Sequence, residues 1–119
     1  MENKDYTVEI LEIIRSNTSP GIMRNRLEDY HANDLAEVFP QLKVSERRKI
    51  CRILDLDMLS DIFEHIDEQE AAAYLDEMDI KKAAAILSAM ETDAVVDVLQ
   101  MIPKEKKNLL IELMDDDAR

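Results

Sequence analysis

Two aspartates of this sequence are spaced so that a helix would hold their carboxylates side by side, where a cation could bind. Asp93 and Asp97 are four residues apart, so on an α-helix their side chains are neighbours on one face. Like charges at this spacing destabilise a helix by roughly 0.2–0.5 kcal/mol, and a bound cation relieves that repulsion. Carboxylate oxygens are also the ligands that hard cations prefer in proteins. Plain surface charge is the alternative interpretation of the same pattern.

A twelve-residue repeat predicts how these carboxylates are positioned. Apolar residues recur every twelve positions and have apolar neighbours three and four positions earlier, which is the stripe of an amphipathic helix. The recurring residues are Leu42, Leu54, Ile66, Met78, Met90, Ile102 and Met114. In the block 91–102 the stripe centres near Val98, so Asp93 and Asp97 are expected on the opposite, solvent-facing side. Asp61 occupies the same position in the block 55–66 as Asp97 does in its own block, and it is expected to face solvent as well.

The repeat also predicts short helices that begin at acidic caps. Asp55, Asp67 and Asp79 follow directly after stripe residues, and aspartate is a preferred N-cap. Helices of this length are marginal alone in water, so we expect them to stack into a solenoid-like superhelix. The predicted helices are 5–16, 20–30, 33–42, 45–54, 56–66, 68–78, 80–90, 92–102 and 104–114, and a tenth is predicted to begin at Asp115. Pro40 should kink or loosen the end of the third helix. The predicted core contains Leu35, Ile50, Ile62, Phe63, Tyr74, Leu75, Ile86, Leu87, Val98 and Leu99.

The composition supports an all-α fold and restricts the partners. Hydrophobic residues make up 46% and charged residues 35%, with one Gly and three Pro, a balance typical of a globular chain with few tight turns. The formal net charge of −12 disfavours nucleic acid and anionic membranes as partners and favours cations and basic surfaces. The chain contains no apolar run of membrane-spanning length.

Catalytic chemistry is not indicated by the remaining polar residues. The sequence has no nucleophile motif and no Gly-rich phosphate loop. His31 and His65 lack a second His or Cys at ligand spacing. Cys51 falls in the apolar stripe, where a small buried side chain is the usual explanation. We therefore expect a protein that is not an enzyme.

Two sequence motifs resemble the N-terminal domain of the MgtE family of magnesium transporters. The segment HANDLAEV, residues 31–38, is similar to the H-P-x-D-x-A-E-hydrophobic opening of that domain, with Ala32 where proline is usual. The blocks DEQEAAAYLDEMD and DIKKAAAILSAME resemble the family repeat D-P-E-E-A-A-E-L-L-E-x-M/L-D. The resemblance covers residues from about 20 to 115.

The resemblance implies a fold, a cofactor and partners. In that family the domain is a right-handed superhelix of short helices on the cytoplasmic side of the membrane, preceding a pair of CBS domains and a membrane pore. Mg²⁺ bound between this domain and the CBS domains keeps the pore closed, and Asp61, Asp93 and Asp97 match family acids on the CBS-facing side. The full-length protein is expected to be a homodimer.

The repeat, whose last block is incomplete, suggests how the chain is divided. We expect residues 1–18 to form an N-terminal helix and link, and residues 19–119 to form the superhelix, cut from a longer protein. The alternative is a protein-interaction scaffold that binds no metal, of the flagellar rotor FliG type. FliG-like domains carry Gly-Gly linkers and motifs such as E-H-P-Q, and this sequence has neither.

Overall fold

Short α-helices account for most of the described structure. The computed structural model describes the backbone of residues 5–118 and the side chains of residues 5–114, and this part contains no β-strand. The nine helices within it are α1 (Thr7–Ile14), α2 (Pro20–Leu27), α3 (Ala32–Val38), α4 (Val44–Ile53), α5 (Leu56–Glu64), α6 (Glu68–Asp76), α7 (Ile80–Ala89), α8 (Thr92–Leu99) and α9 (Lys104–Ala118). The predicted all-α fold is confirmed, and most helices end a few residues before the predicted boundary.

Polar side chains begin the helices where the repeat predicts caps. The Ser19 hydroxyl accepts the N–H of Ile22 at 3.4 Å, with Pro20 in the first position of α2. The Asp55 carboxylate accepts the N–H of Met58 at 2.9 Å. Asp79 accepts the N–H groups of Lys81 and Lys82 at 3.1 and 3.3 Å. These bonds satisfy backbone donors that have no partner inside the helix, which is why an acid can end one block and begin the next.

The third helix changes geometry at the proline. α3 ends at Val38, and Phe39–Gln41 forms a 3-10 turn with Pro40 in its first turn. α4 adds hydrogen bonds at this turn, because the Arg47 guanidinium donates to the carbonyls of Phe39 and Leu42. The predicted loosening at Pro40 is confirmed, and Arg47 compensates for it.

Alternate helices pack on each other and enclose the core. The odd-numbered helices form a continuous row in which α1, α3, α5, α7 and α9 each contact the next. The even-numbered helices contribute the pairs α2–α4 and α6–α8. This arrangement is expected of stacked helical repeats, while the right-handed twist of the superhelix stays a prediction.

The predicted core is confirmed at most positions. Eight of the ten predicted residues are buried, namely Leu35, Ile50, Ile62, Phe63, Leu75, Ile86, Leu87 and Val98. Tyr74 and Leu99 are only half-buried, so the prediction is wrong for these two. Tyr74 lies at the edge of the core, where the Arg47 guanidinium covers its ring at 4.6 Å from the ring centroid.

The predicted tenth helix does not form. α9 runs without a break from Lys104 to Ala118 and passes through Asp115, the predicted cap. At the earlier caps the chain turns so that the next apolar stripe reaches the core.

Candidate metal-binding surface

Asp93 and Asp97 lie on the exposed side of α8. Val95 and Val98 of the same helix are buried against the core, and this fixes the orientation of the helix. Both carboxylates are consequently directed to solvent. The predicted face is confirmed for both residues.

Asp61 lies on the exposed side of α5, as predicted. Ile62 and Phe63 follow it into the core, at 0% and 1% exposure. The backbone carbonyl of Asp61 accepts a hydrogen bond from the ring Nδ1 of His65 at 2.8 Å, and this bond closes the last turn of α5. The carboxylate itself is not used in that contact, so it stays available to a ligand.

A glutamate that the sequence reasoning missed connects the two acidic helices. The Glu64 Oε2 atom accepts the backbone N–H of Glu91 at 3.0 Å. Glu64 is the last residue of α5, and Glu91 is the N-cap of α8. The contact therefore joins the helix of Asp61 to the start of the helix that carries Asp93 and Asp97. A signal was present, because glutamate is a poor N-cap and α8 needs an acceptor from elsewhere.

The three aspartates do not form a complete metal shell within the described part of the chain. Among residues 5–114, no group of three His, Cys, Asp or Glu side chains is placed to hold a metal ion. The ion pairs there involve the carboxylates of Glu46, Glu77 and Asp76, and not those of Asp61, Asp93 or Asp97. Such a surface supplies one or two carboxylates to a hydrated cation, and a second surface must supply the remaining ligands.

The remaining candidates for a chemical role, a histidine and a cysteine, lie at a helix cap and in the core. His31 is the exposed N-cap of α3, and its side chain makes no capping bond. Cys51 is buried, at 3% exposure, which confirms its place in the core. Burial raises the pKa of the Cys51 thiol to about 11, so the thiol is protonated and weakly nucleophilic at neutral pH.

The fold and the surface together define an all-α domain of stacked short helices with exposed carboxylates. Among the described helices none is both long and apolar enough to cross a membrane. The family model of the MgtE intracellular N domain matches residues 30–119, and the chain belongs to this family.

A solved structure of another protein has a similar fold. The chain is similar to a protein described as the soluble part of a magnesium transporter, with 28% sequence identity and a TM-score of 0.80. The match covers 90% of this chain and 42% of that one, so this chain spans less than half the length of that relative. No sequence among the curated proteins matches the chain.

Proposed function

We propose that this chain is the magnesium-sensing regulatory domain of a magnesium transporter, without a catalytic activity of its own. The observation that carries the proposal is the match of the MgtE intracellular N domain to residues 30–119. The relative of known structure, whose description is the soluble part of a magnesium transporter, supports the same assignment. These relationships favour the transporter domain over a FliG-type scaffold.

Asp93, Asp97 and Asp61 are proposed to supply carboxylate ligands to Mg²⁺. Mg²⁺ prefers oxygen ligands, sheds water reluctantly and is usually bound through one or two carboxylates. Asp93 and Asp97 are exposed on adjacent turns of α8, and Asp61 is exposed on α5. None of the three is committed to an ion pair within residues 5–114. Binding a hydrated cation therefore costs these carboxylates little free energy, because they keep contact with water and no ion pair within residues 5–114 has to be broken.

The remaining Mg²⁺ ligands are proposed to come from CBS domains elsewhere in the same transporter. Without the ion, two acidic surfaces repel each other and the domain moves away. With the ion bound, the surfaces are bridged and the compact state is favoured by the differential affinity of Mg²⁺ for the two states. The compact state is the closed state of the pore, so intracellular magnesium limits its own import. This proposal places the domain on the cytoplasmic side of the membrane, in a homodimeric transporter.

The test is a protease-protection titration on the full-length transporter. Mg²⁺ should protect the connections between domains in the wild type. The variant with Asp93→Ala and Asp97→Ala should need more Mg²⁺ for the same protection, and Asp61→Ala should have a smaller effect in the same direction.

The matched control removes the same charge from another exposed surface. Glu12→Ala with Glu37→Ala changes two exposed acids on α1 and α3 and should leave the titration midpoint unchanged. If the Asp93 and Asp97 double variant titrates at the wild-type midpoint, these residues are not magnesium ligands. If both double variants shift equally, total charge controls the equilibrium and specific ligation does not.

A further inference from the structure

Two adjoining cavities form a groove lined by basic side chains. The first has a volume of about 510 Å³ and includes Arg48, Arg52 and Lys82 in its lining. The second has a volume of about 650 Å³ and includes Arg24, Lys49 and Arg52. Arg52 lines both cavities, so they adjoin at this side chain, and their other lining residues lie on α2, α4 and around the start of α7. We call the two together the basic groove and define it by these five cations.

Within residues 5–114 no ion pair joins a cation of the basic groove to an acidic side chain. Asp79 is the one acid in the lining of either cavity, and its carboxylate already accepts two backbone N–H groups at the start of α7. The sequence has 27 acidic residues. Within residues 5–114 the ion pairs of basic side chains nevertheless involve Arg15, Arg47 and Lys106, and none of the five groove cations.

Two of the five cations are held in place by backbone carbonyls. Arg48 donates through Nε to the carbonyl of Glu77 at 2.8 Å. Lys49 donates through Nζ to the carbonyl of Ile14 at 3.0 Å. Each keeps further N–H donors that these bonds do not use. A ligand therefore meets side chains that are already ordered, and the entropy cost of binding is reduced.

Phosphate is the anion that this arrangement fits best. Three of the five cations are arginines, whose planar forks match phosphate oxygens with two parallel hydrogen bonds. One phosphate group also carries more charge than one carboxylate and thus neutralises more of the groove. The second cavity is open at Gly21 in the first turn of α2, where an added Cβ atom would meet nothing within 4 Å.

The net charge of −12 does not prevent such binding. Interactions between exposed charges are largely screened beyond about 8 Å at physiological ionic strength, so a ligand in the groove responds mainly to the local cations. The net charge therefore disfavours anionic partners over most of the surface. The basic groove is a local exception.

We propose that the basic groove binds phosphate groups, presented either by a soluble polyphosphate or by an anionic phospholipid. This site goes beyond the proposed magnesium function and does not depend on Asp61, Asp93 or Asp97. The groove lies mainly on α2, α4 and the start of α7, whereas those aspartates lie on α5 and α8.

The experiment measures binding to the 119-residue chain at low salt and without divalent cations. Inorganic tripolyphosphate is titrated by calorimetry, and vesicles of phosphatidylcholine with and without phosphatidylglycerol are tested by cosedimentation. Binding to tripolyphosphate alone assigns a soluble ligand, and binding to phosphatidylglycerol vesicles alone assigns a lipid headgroup. Arg24→Gln with Arg52→Gln should weaken the binding at least tenfold.

Matched controls separate the groove from general charge. Lys104→Gln with Lys107→Gln removes the same charge from α9, outside the groove, and should retain the wild-type affinity within about twofold. The proposal is overturned if neither ligand binds, or if the two double variants lose affinity equally. It is also overturned if a glutamate peptide of equal charge binds as tightly as tripolyphosphate, because the groove then has no preference for phosphate.

Discussion

The carboxylate of Glu64 accepts the backbone N–H of Glu91 at 3.0 Å, so the end of α5 caps the start of α8 from a distance of 27 residues in sequence. α8 has no capping bond from its own N-cap side chain. The negative charge of Glu64 also lies at the positive end of the α8 dipole. The first turn of α8, which carries Asp93, is thus positioned by the helix that carries Asp61.

We expect Glu64→Ala to lower the free energy of unfolding by about 0.5–2 kcal/mol, the usual cost of losing a cap. Glu64→Gln keeps an oxygen acceptor and should lose less. Hydrogen exchange at the Glu91 amide checks the local effect, and it should accelerate in the alanine variant. Glu37→Ala, at an exposed site on α3, is the control. An unchanged exchange rate at Glu91 in Glu64→Ala would show that the bond does not hold the helix in solution.

The packing of the core predicts that Leu→Ala destabilises the fold much more at a buried position than at an exposed one. Leu75 is 1% exposed on α6, whereas Leu109 is 52% exposed on α9. Leu75→Ala should cost about 2–5 kcal/mol, because it removes buried methyl groups and leaves a cavity. Leu109→Ala should change the stability by less than about 0.5 kcal/mol. Urea unfolding followed by circular dichroism measures both, and equal losses would contradict the observed burial.

The twelve-residue repeat predicted α2 to α9 and most of their buried residues, because both depend on local periodicity, but it wrongly placed a cap at Asp115, which lies inside α9. It also predicted that Asp61, Asp93 and Asp97 are exposed, since a side chain opposite a buried stripe must face solvent. The contact of Glu64 with Glu91 was not predictable in this way, because it depends on how separate helices stack. The basic groove is a similar case, because its cations come from three helices that are distant in sequence.

Arg47 is the residue that stabilises the break at Pro40, so its loss should be costly. Its guanidinium makes two bonds to the Glu77 carboxylate, at 2.8 and 2.6 Å, and donates to the carbonyls of Phe39 and Leu42. Arg47→Ala leaves Glu77 and both carbonyls without this donor.

We expect Arg47→Ala to destabilise the fold by about 2–4 kcal/mol, given that the pair is only partly buried. Arg47→Lys should recover less than half of this loss, because an ammonium group cannot reproduce the planar fork. Both values are obtained from urea unfolding. Arg26→Ala, at an exposed position on α2, should cost less than about 0.5 kcal/mol. Full recovery by lysine would indicate that charge alone matters at this site.

An ion pair between Arg15, the C-cap of α1, and Glu46 of α4 makes the stability depend on pH. Arg15 donates to Glu46 through Nε at 2.9 Å, and the backbone N–H of Lys43 donates to the same carboxylate at 2.8 Å. These two hydrogen bonds, the first above all, lower the pKa of Glu46 below its usual range. A proton therefore binds more tightly to Glu46 in the unfolded chain than in the folded one.

We expect Glu46→Gln to be less stable than the wild type at neutral pH, where the stabilisation from the ionised carboxylate is fully present. As the pH falls from the usual titration range of glutamate through the lowered pKa of Glu46, the wild type loses this contribution and the difference should disappear. Unfolding curves from pH 7 to pH 3 measure the difference in the free energy of unfolding between the two proteins. The other acids are present in both proteins, so their contributions cancel. Glu12→Gln, an exposed acid on α1, is the control and should differ little from the wild type throughout. If this difference in the free energy of unfolding stays constant from pH 7 to pH 3, the ionised form of Glu46 is not what stabilises the contact.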